Sequence, residues 1–183
     1  MKNTDPPFFI EDKDFLSKDQ KKTIDYLVED QQLPFYLSHV AAEKKDKCVN
    51  FGHQIITRAD KDAQLPGIEN SELVDFTRGL LNTFCTKHKI KYKLIYRACI
   101  NVTVPNNVVY KVGKHKDHLF PHKQFLIYLN NSHDGDTVIL DYKDKEYKVV
   151  SPKIYKGIMF GSTNHYHYLP TQGTRVVMII TFI

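Results

Sequence analysis

The chain of 183 residues is 42% hydrophobic and 26% charged, a balance that fits one folded domain and excludes disordered and fibrous classes. Its formal charge of +5 arises from 26 basic and 21 acidic residues spread along the chain rather than gathered into an arm, so it gives no indication of a nucleic-acid partner. Cys48, Cys85 and Cys99 lack any CxxC spacing, which excludes a zinc ribbon and predicts reduced thiols in a cytoplasmic protein.

At the amino terminus, residues 1–15 mix Asp, Glu and Pro with apolar residues, which does not read as a secretory leader. Ser17 and Gln20 form a capping-box signature, and Ile24, Leu27 and Val28 recur at helical spacing until Pro34 stops the pattern. Phe51, Ile55 and Ile56 suggest a strand. Asn70 or Ser71 is placed to cap a second helix with Leu73, Phe76, Leu80, Leu81 and Phe84 on one face, ending near His88.

From Tyr92 the period changes to two. Leu94, Tyr96, Ala98 and Ile100 alternate with Ile95, Arg97, Cys99 and Asn101, until Pro105-Asn106-Asn107 predicts a turn. Residues 124–130, 137–142, 147–150, 154–160 and 174–183 are short β-branched or aromatic segments separated by Gly, Asp, Asn and Pro. The last of these holds the longest apolar run, Val176 to Ile183, which Thr181 breaks and which falls well short of the roughly 20 residues of a membrane span. The expectation is one α+β domain over 1–183, with helical support over about 1–90 and a sandwich or barrel-like roll over about 91–183.

Chemistry concentrates in Lys114-His115-Lys116-Asp117-His118-Leu119-Phe120-Pro121-His122. In an extended segment His115 and Asp117 point to one side and His118 to the other. A helix would instead align His115, His118 and His122, but Gly113 and Pro121 argue against one. Two ligands on one step hold a metal poorly, so a third is expected from a distant strand, with His165 and His167 as candidates. Two histidines and one carboxylate form the facial triad that leaves open positions on octahedral Fe(II), whereas zinc favours a tetrahedral site richer in Cys or His.

Arg97-Ala98-Cys99-Ile100-Asn101, His115-x-Asp117, Tyr128-Leu129-Asn130-Asn131, Asp134-Gly135-Asp136-Thr137, Pro152 with Gly157 and Phe160, and His165 with Pro170 and Arg175 follow one another in the chain. In that order they resemble the 2-oxoglutarate- and Fe(II)-dependent oxygenases, most of all the prolyl-4-hydroxylase-like branch and its short phage-encoded members. Leu33-Pro34-Phe35-Tyr36 and Phe51-Gly52-His53 extend the resemblance more weakly into the first half. It implies a double-stranded β-helix (jelly roll) flanked by amino-terminal helices. It also implies Fe(II) on His115, Asp117 and His165, the cosubstrates 2-oxoglutarate and O2, and room for ascorbate. His165 matches the family better than His167, standing five positions before Pro170 and ten before Arg175.

Arg175 would then bind the distal carboxylate of 2-oxoglutarate through its planar fork. Seven of the eight residues after it are apolar, so it begins a buried strand and needs a buried partner. Asn101-x-Thr103-x-Pro105 resembles the family's Asn-x-Tyr-x-Pro, with Thr103 in place of the tyrosine, and the Tyr128 hydroxyl is the expected substitute contact. His133 reads as a solvated turn residue. Leu119, Phe120 and Tyr110 are candidates for the rim of a substrate opening, and Arg97 either contacts substrate or pairs with a core carboxylate.

The implied reaction is hydroxylation of a substrate C–H bond with release of succinate and CO2. Peptidyl proline is the branch's usual substrate, and free small molecules or modified nucleic acid also fit. A jelly-roll binding protein without turnover is the alternative. The implied location is cytoplasmic, the host cytoplasm for a phage-encoded chain.

Overall fold

The computed structural model describes residues 6–29, 33–38, 48–60, 63–105 and 110–183. In chain order these give β1 (Phe9–Asp12), α1 (Lys18–Glu29), β2 (Tyr36–Ser38), β3 (Asn50–Thr57), β4 (Ile68–Glu69) and α2 (Val74–Lys87). Strands follow: β5 (Ile95–Thr103), β6 (Lys123–Tyr128), β7 (His133–Asp134), β8 (Thr137–Leu140), β9 (Glu146–Val150), β10 (Gly157–Gly161), β11 (His165–His167), β12 (Pro170–Gln172) and β13 (Arg175–Phe182). Among the described residues no helix is long and apolar enough to cross a membrane.

The capping box ahead of α1 forms as expected. The Gln20 N–H donates to Ser17 Oγ at 3.1 Å, and the Ser17 N–H donates to Gln20 Oε1 at 3.0 Å, so two otherwise orphaned donors are satisfied reciprocally. Helix α2 differs from expectation at its start, because its N-terminal boundary is Leu73 without a side-chain cap. Ser71 Oγ is engaged one turn earlier, accepting from the Leu73 N–H at 3.2 Å and pairing with His53 Nε2 at 2.8 Å. The predicted Pro105-Asn106-Asn107 turn falls mostly on residues 106–109, outside the described set.

The main sheet has the order β1-β10-β6-β13-β5-β3-β2, with β4 pairing β3. Smaller sheets, β11-β8-β9 and β12-β7, complete the fold. The first half was expected to be helical support, yet it supplies four strands to the main sheet. β1 pairs β10 through Phe9 and Phe160, and β3 pairs β5 through Asn50 and Thr103. Such pairings join residues far apart in sequence, so local periodicity is blind to them.

Alternation along β6 and β13 divides the interior into two. Phe125, Ile127, Met178, Ile180 and Phe182 face away from the smaller sheets and share one apolar cluster with Ile24 of α1 and Leu80, Leu81 and Phe84 of α2. Each such side chain, once fully buried, contributes about 1.5–3 kcal/mol. Leu126, Tyr128 and Val177 point the other way and pack with Ile139, Val150, Ile158 and Phe160 between the sheets. Gly157 lets the first layer close, since a Cβ there would lie 2.8 Å from the Phe15 ring and 2.9 Å from the Phe125 ring. The inward face of the main sheet also carries a polar set: Gln124 on β6, Arg97, Asn101 and Thr103 on β5, and Arg175 on β13.

Candidate metal centre

His115 and His165 are brought together by backbone pairing. Each donates its N–H to the other's carbonyl at 3.0 Å, an isolated antiparallel bridge, and the ring centroids lie 4.4 Å apart. Asp117, two residues on from His115, presents its carboxylate to the same side, and its Oδ2 lies 3.7 Å from His165 Nε2. One ligand atom from each of His115, Asp117 and His165 falls within 4.8 Å of the others, the one such group among the described residues. No helix forms over residues 113–122, so His118 and His122 do not join His115 on one face.

The histidines are oriented for a cation. His115 Nδ1 lies 3.0 Å from the Gly113 carbonyl, and His165 Nδ1 lies 3.4 Å from the Thr163 carbonyl. A carbonyl only accepts, so Nδ1 carries the proton and Nε2 keeps a lone pair that could bind a metal ion. Burial, and next the neighbouring His115, bring His165 down to about 4. Burial alone would raise Asp117, but Arg97, His165, His115 and Arg58 outweigh it and bring the carboxyl to about 2. Near neutral pH, His165 is therefore neutral and Asp117 ionised, the forms a divalent cation requires.

The group lies in a cavity of about 650 Å³ between the sheets. Beyond His165, one strand step along β11, His167 stands opposite Thr137 of β8. His167 Nε2 is buried without a hydrogen-bond partner among the described residues, and burial, then Arg175, hold the ring well below its ordinary value and hence neutral. Thr137 Oγ1 accepts from Arg175 Nη2 at 2.8 Å, and Arg175 Nε donates to the Gly135 carbonyl at 2.8 Å. Arg175 is 3% exposed, and no carboxylate of the described residues pairs with it. Arg175 lines the cavity together with Asn101, Thr103, Leu126 and Ile179, with the Tyr128 hydroxyl as a further polar neighbour of its guanidinium.

Tyr128, expected among the contacts to 2-oxoglutarate, is not among the residues that line the cavity. The ring is fully buried and sits under the Arg175 guanidinium at 5.7 Å, and its hydroxyl is within hydrogen-bond reach of Thr137 Oγ1 at 2.8 Å and the Val150 carbonyl at 3.2 Å. Asn101 and Thr103 line the cavity, with Thr103 directly opposite Arg175 in the sheet register. Leu119 is 82% exposed at the rim, whereas Phe120 is buried and Tyr110 packs in a separate small cluster; neither lines the cavity. His133 is exposed beside Asp134. Arg97 pairs with a carboxylate, and that carboxylate is Asp117.

Sequence reasoning missed Arg58. Its Nη2 lies 3.2 Å from Asp117 Oδ1, the oxygen that also accepts from Arg97 Nη1 at 3.1 Å. Fifty-nine positions separate Arg58 from Asp117, and no motif marks it. Gln124 and Asn50 were missed as well, although counting back by two from Leu126 on β6 reaches Gln124.

His118 and His122 fill a buried layer beneath the site. His118 Nε2 bonds Thr181 Oγ1 at 2.8 Å while its ring stacks on Phe120, and His122 Nδ1 donates to the Phe120 carbonyl. Burial and then Arg58 bring His118 to about 4, and burial lowers His122. An unfolded histidine takes up its proton near pH ~6.5, whereas His165 and His118 resist until about 4. The unfolded chain then binds more protons in that window, so stability falls as pH falls. Asp117 adds a loss of the same sign lower, between its ordinary 3.8 and about 2. The metal-free protein is expected to lose melting temperature progressively from about pH 6.5 to 4, followed by circular dichroism, with His118→Gln flattening part of the slope. A melting temperature constant across that window would contradict this.

No protein-family model matches the sequence, and no curated protein matches it. An oxidoreductase of the 2OG-Fe(II) oxygenase family from Burkholderia pseudomallei is similar with a TM-score of 0.76 at 14% identity, over 95% of this chain and 84% of that one. A prolyl-4-hydroxylase from Pseudomonas putida is similar at 0.63 and 13% identity, over 96% and 92%. HygX from Streptomyces hygroscopicus, solved with nickel and 2-oxoglutarate bound, is similar at 0.59 and 9% identity, over 96% and 82%. At these identities the likeness is one of fold: the chain is mostly β-sheet with two described helices, in the arrangement of the 2-oxoglutarate oxygenases.

Proposed function

We propose that the chain is an Fe(II)- and 2-oxoglutarate-dependent oxygenase that hydroxylates a C–H bond of a peptide or small-molecule substrate. The observation that carries this reading is one cavity holding both a His115–Asp117–His165 donor set within 4.8 Å and, beyond His167, a buried Arg175 with no carboxylate partner among the described residues. The donor set suits Fe(II), because two neutral nitrogens and one carboxylate leave open positions. The Arg175 guanidinium, buried and without a carboxylate partner among the described residues, suits an acidic cosubstrate.

When bound, Fe(II) would activate O2, the oxidant, with 2-oxoglutarate supplying two of its four electrons on conversion to succinate and CO2 and the substrate C–H supplying the other two on conversion to C–OH. The chain's own residues prepare the place. His115 and His165 present Nε2 because backbone carbonyls hold Nδ1. Arg175 offers a carboxylate its fork, aimed by Gly135 and Thr137. Asn101 and Thr103 add polar contacts on the neighbouring strand, and Leu126 and Ile179, paired between the Arg175 row and the Arg97 row, give the middle of the cavity an apolar wall.

The test is a screen of peptides and small metabolites with Fe(II), 2-oxoglutarate and O2, reading succinate and an oxygen atom added to the substrate. Succinate formed in step with a hydroxylated product supports the proposal. Absence of succinate across the screen, together with absence of 2-oxoglutarate binding, would make the cavity that of a binding protein.

A further inference from the structure

The cavity has a second cationic end. In the pairing of β13 with β5, Arg175 stands opposite Thr103 and Thr181 opposite Arg97. Six residues of one strand separate these rows, roughly 20 Å of backbone at ~3.4 Å per residue. Arg97 reaches back from its row to Asp117, and Arg58 arrives from beyond β3 at the same oxygen, Oδ1. The other oxygen, Oδ2, faces His165. Two guanidiniums are thus held one carboxylate away from the metal centre, on the side opposite Arg175.

Charge and hydrogen bonding both remain incomplete there. The charged side chains lining the cavity are Arg58, Arg97, Lys116 and Arg175 against the single carboxylate of Asp117. Asp117 is shared by two arginines and would in addition ligate a dication, so it cannot neutralise both guanidiniums. Arg58 Nε and Gln124 Nε2 are buried and have no hydrogen-bond partner among the described residues, and Gln124 is 1% exposed. Both are donors. A buried donor left unpaired costs about 1–3 kcal/mol, and an acceptor entering the cavity would remove that cost. A role limited to orienting Asp117 accounts for one guanidinium N–H from each arginine and leaves Arg58 Nε without a partner among the described residues.

Building on the oxygenase reading, we propose that Arg58 and Arg97, with Gln124 beside them, form an oxyanion subsite for the substrate, which carries a carboxylate or phosphate close to the C–H bond that is hydroxylated. This subsite is separate from the one Arg175 provides. Arginine suits either anion because its fork donates two parallel hydrogen bonds, and Lys116, exposed at the rim, adds to the attractive field.

The test uses the full chain loaded with Mn(II) and 2-oxoglutarate, so that the Arg175 end is filled. Inorganic phosphate and carbon-13 acetate are titrated separately, and paramagnetic relaxation of phosphorus-31 or carbon-13 by the bound Mn(II) reports binding near the metal. At least one anion is expected to give saturable relaxation, and the tighter of the two identifies phosphate or carboxylate as the recognised group. Arg58→Gln and Arg97→Gln should each weaken it tenfold or more, and Arg58→Lys by less. Because Arg97 also supports Asp117, electron paramagnetic resonance of free Mn(II) is recorded for every variant. The proposal is overturned if neither anion relaxes above a free Mn(II) control, or if Arg58→Gln binds both anions as wild type does while Mn(II) and 2-oxoglutarate remain bound. Failure of the wild-type chain to bind Mn(II) or 2-oxoglutarate would instead overturn the oxygenase reading and this subsite with it.

Discussion

Replacing His115 or Asp117 with alanine is expected to lower divalent-metal affinity by at least about 100-fold, since losing even a supporting hydrogen bond to a ligand costs ~10–100-fold. Two remaining donors cannot define one face of an octahedron. Asp117→Asn is the gentler companion, because it keeps the shape between Arg58 and Arg97 while removing the charge. His165→Ala should match His115→Ala. His167→Ala should leave metal affinity within a few-fold, because His167 stands one strand step away toward Thr137 and outside the donor group. Titration of Mn(II) with a thermal melt of each variant checks both affinity and folding. If His167→Ala cost more metal affinity than His165→Ala, the third ligand would be His167.

Arg175→Ala is expected to leave metal binding intact and to weaken 2-oxoglutarate by roughly 100-fold, because losing one partner of a buried, hydrogen-bonded charge pair costs about 2–5 kcal/mol. Arg175→Lys should recover part of this, restoring charge without the fork or the bond to Gly135. Gly135→Ala should act in the same direction as Arg175→Ala. The backbone there has φ of +78°, and a Cβ would lie 3.0 Å from Arg175 Cδ, so the substitution both strains the turn and displaces the guanidinium. Tyr128→Phe should change 2-oxoglutarate affinity only a few-fold, since its hydroxyl is turned to Thr137 and Val150. Calorimetric titration of 2-oxoglutarate into the Mn(II)-loaded variants reads all four. A steep loss in Tyr128→Phe beside an unchanged Arg175→Ala would move the anchor away from Arg175.

Features fixed by neighbours in sequence were legible before the fold was known. The Ser17–Gln20 capping box, the apolar face of α2 and the period of two from Tyr92 onward depend on spacing alone, and each is present. The same periodicity placed His115 and Asp117 on one side, and the apolar run after Arg175 required that arginine to be buried, as it is. Features fixed by distant pairing were not legible. Phe9–Asp12 reads locally as a mixed polar segment and is a strand because β10 pairs with it. Arg58 follows a strand with no motif around it, and only the β3–β5 pairing carries it to Asp117. Tyr128 shows a third limit. Alternation correctly turns it toward the interior between the sheets, but only packing decides that its hydroxyl passes behind Arg175 to Val150. The capping error at Ser71 is of the same kind, because His53, eighteen positions away, engages its hydroxyl.

Anaerobic addition of 2-oxoglutarate to the Fe(II)-loaded chain, with its visible spectrum recorded, tests metal and cosubstrate binding at one site together. A weak charge-transfer band is expected that saturates at one equivalent each of Fe(II) and 2-oxoglutarate and is absent from Asp117→Ala. In Arg175→Ala the band should appear only at much higher 2-oxoglutarate. A wild-type chain that binds Fe(II) but gives no band at any 2-oxoglutarate concentration, or a band that persists unchanged in Asp117→Ala, would contradict the oxygenase reading.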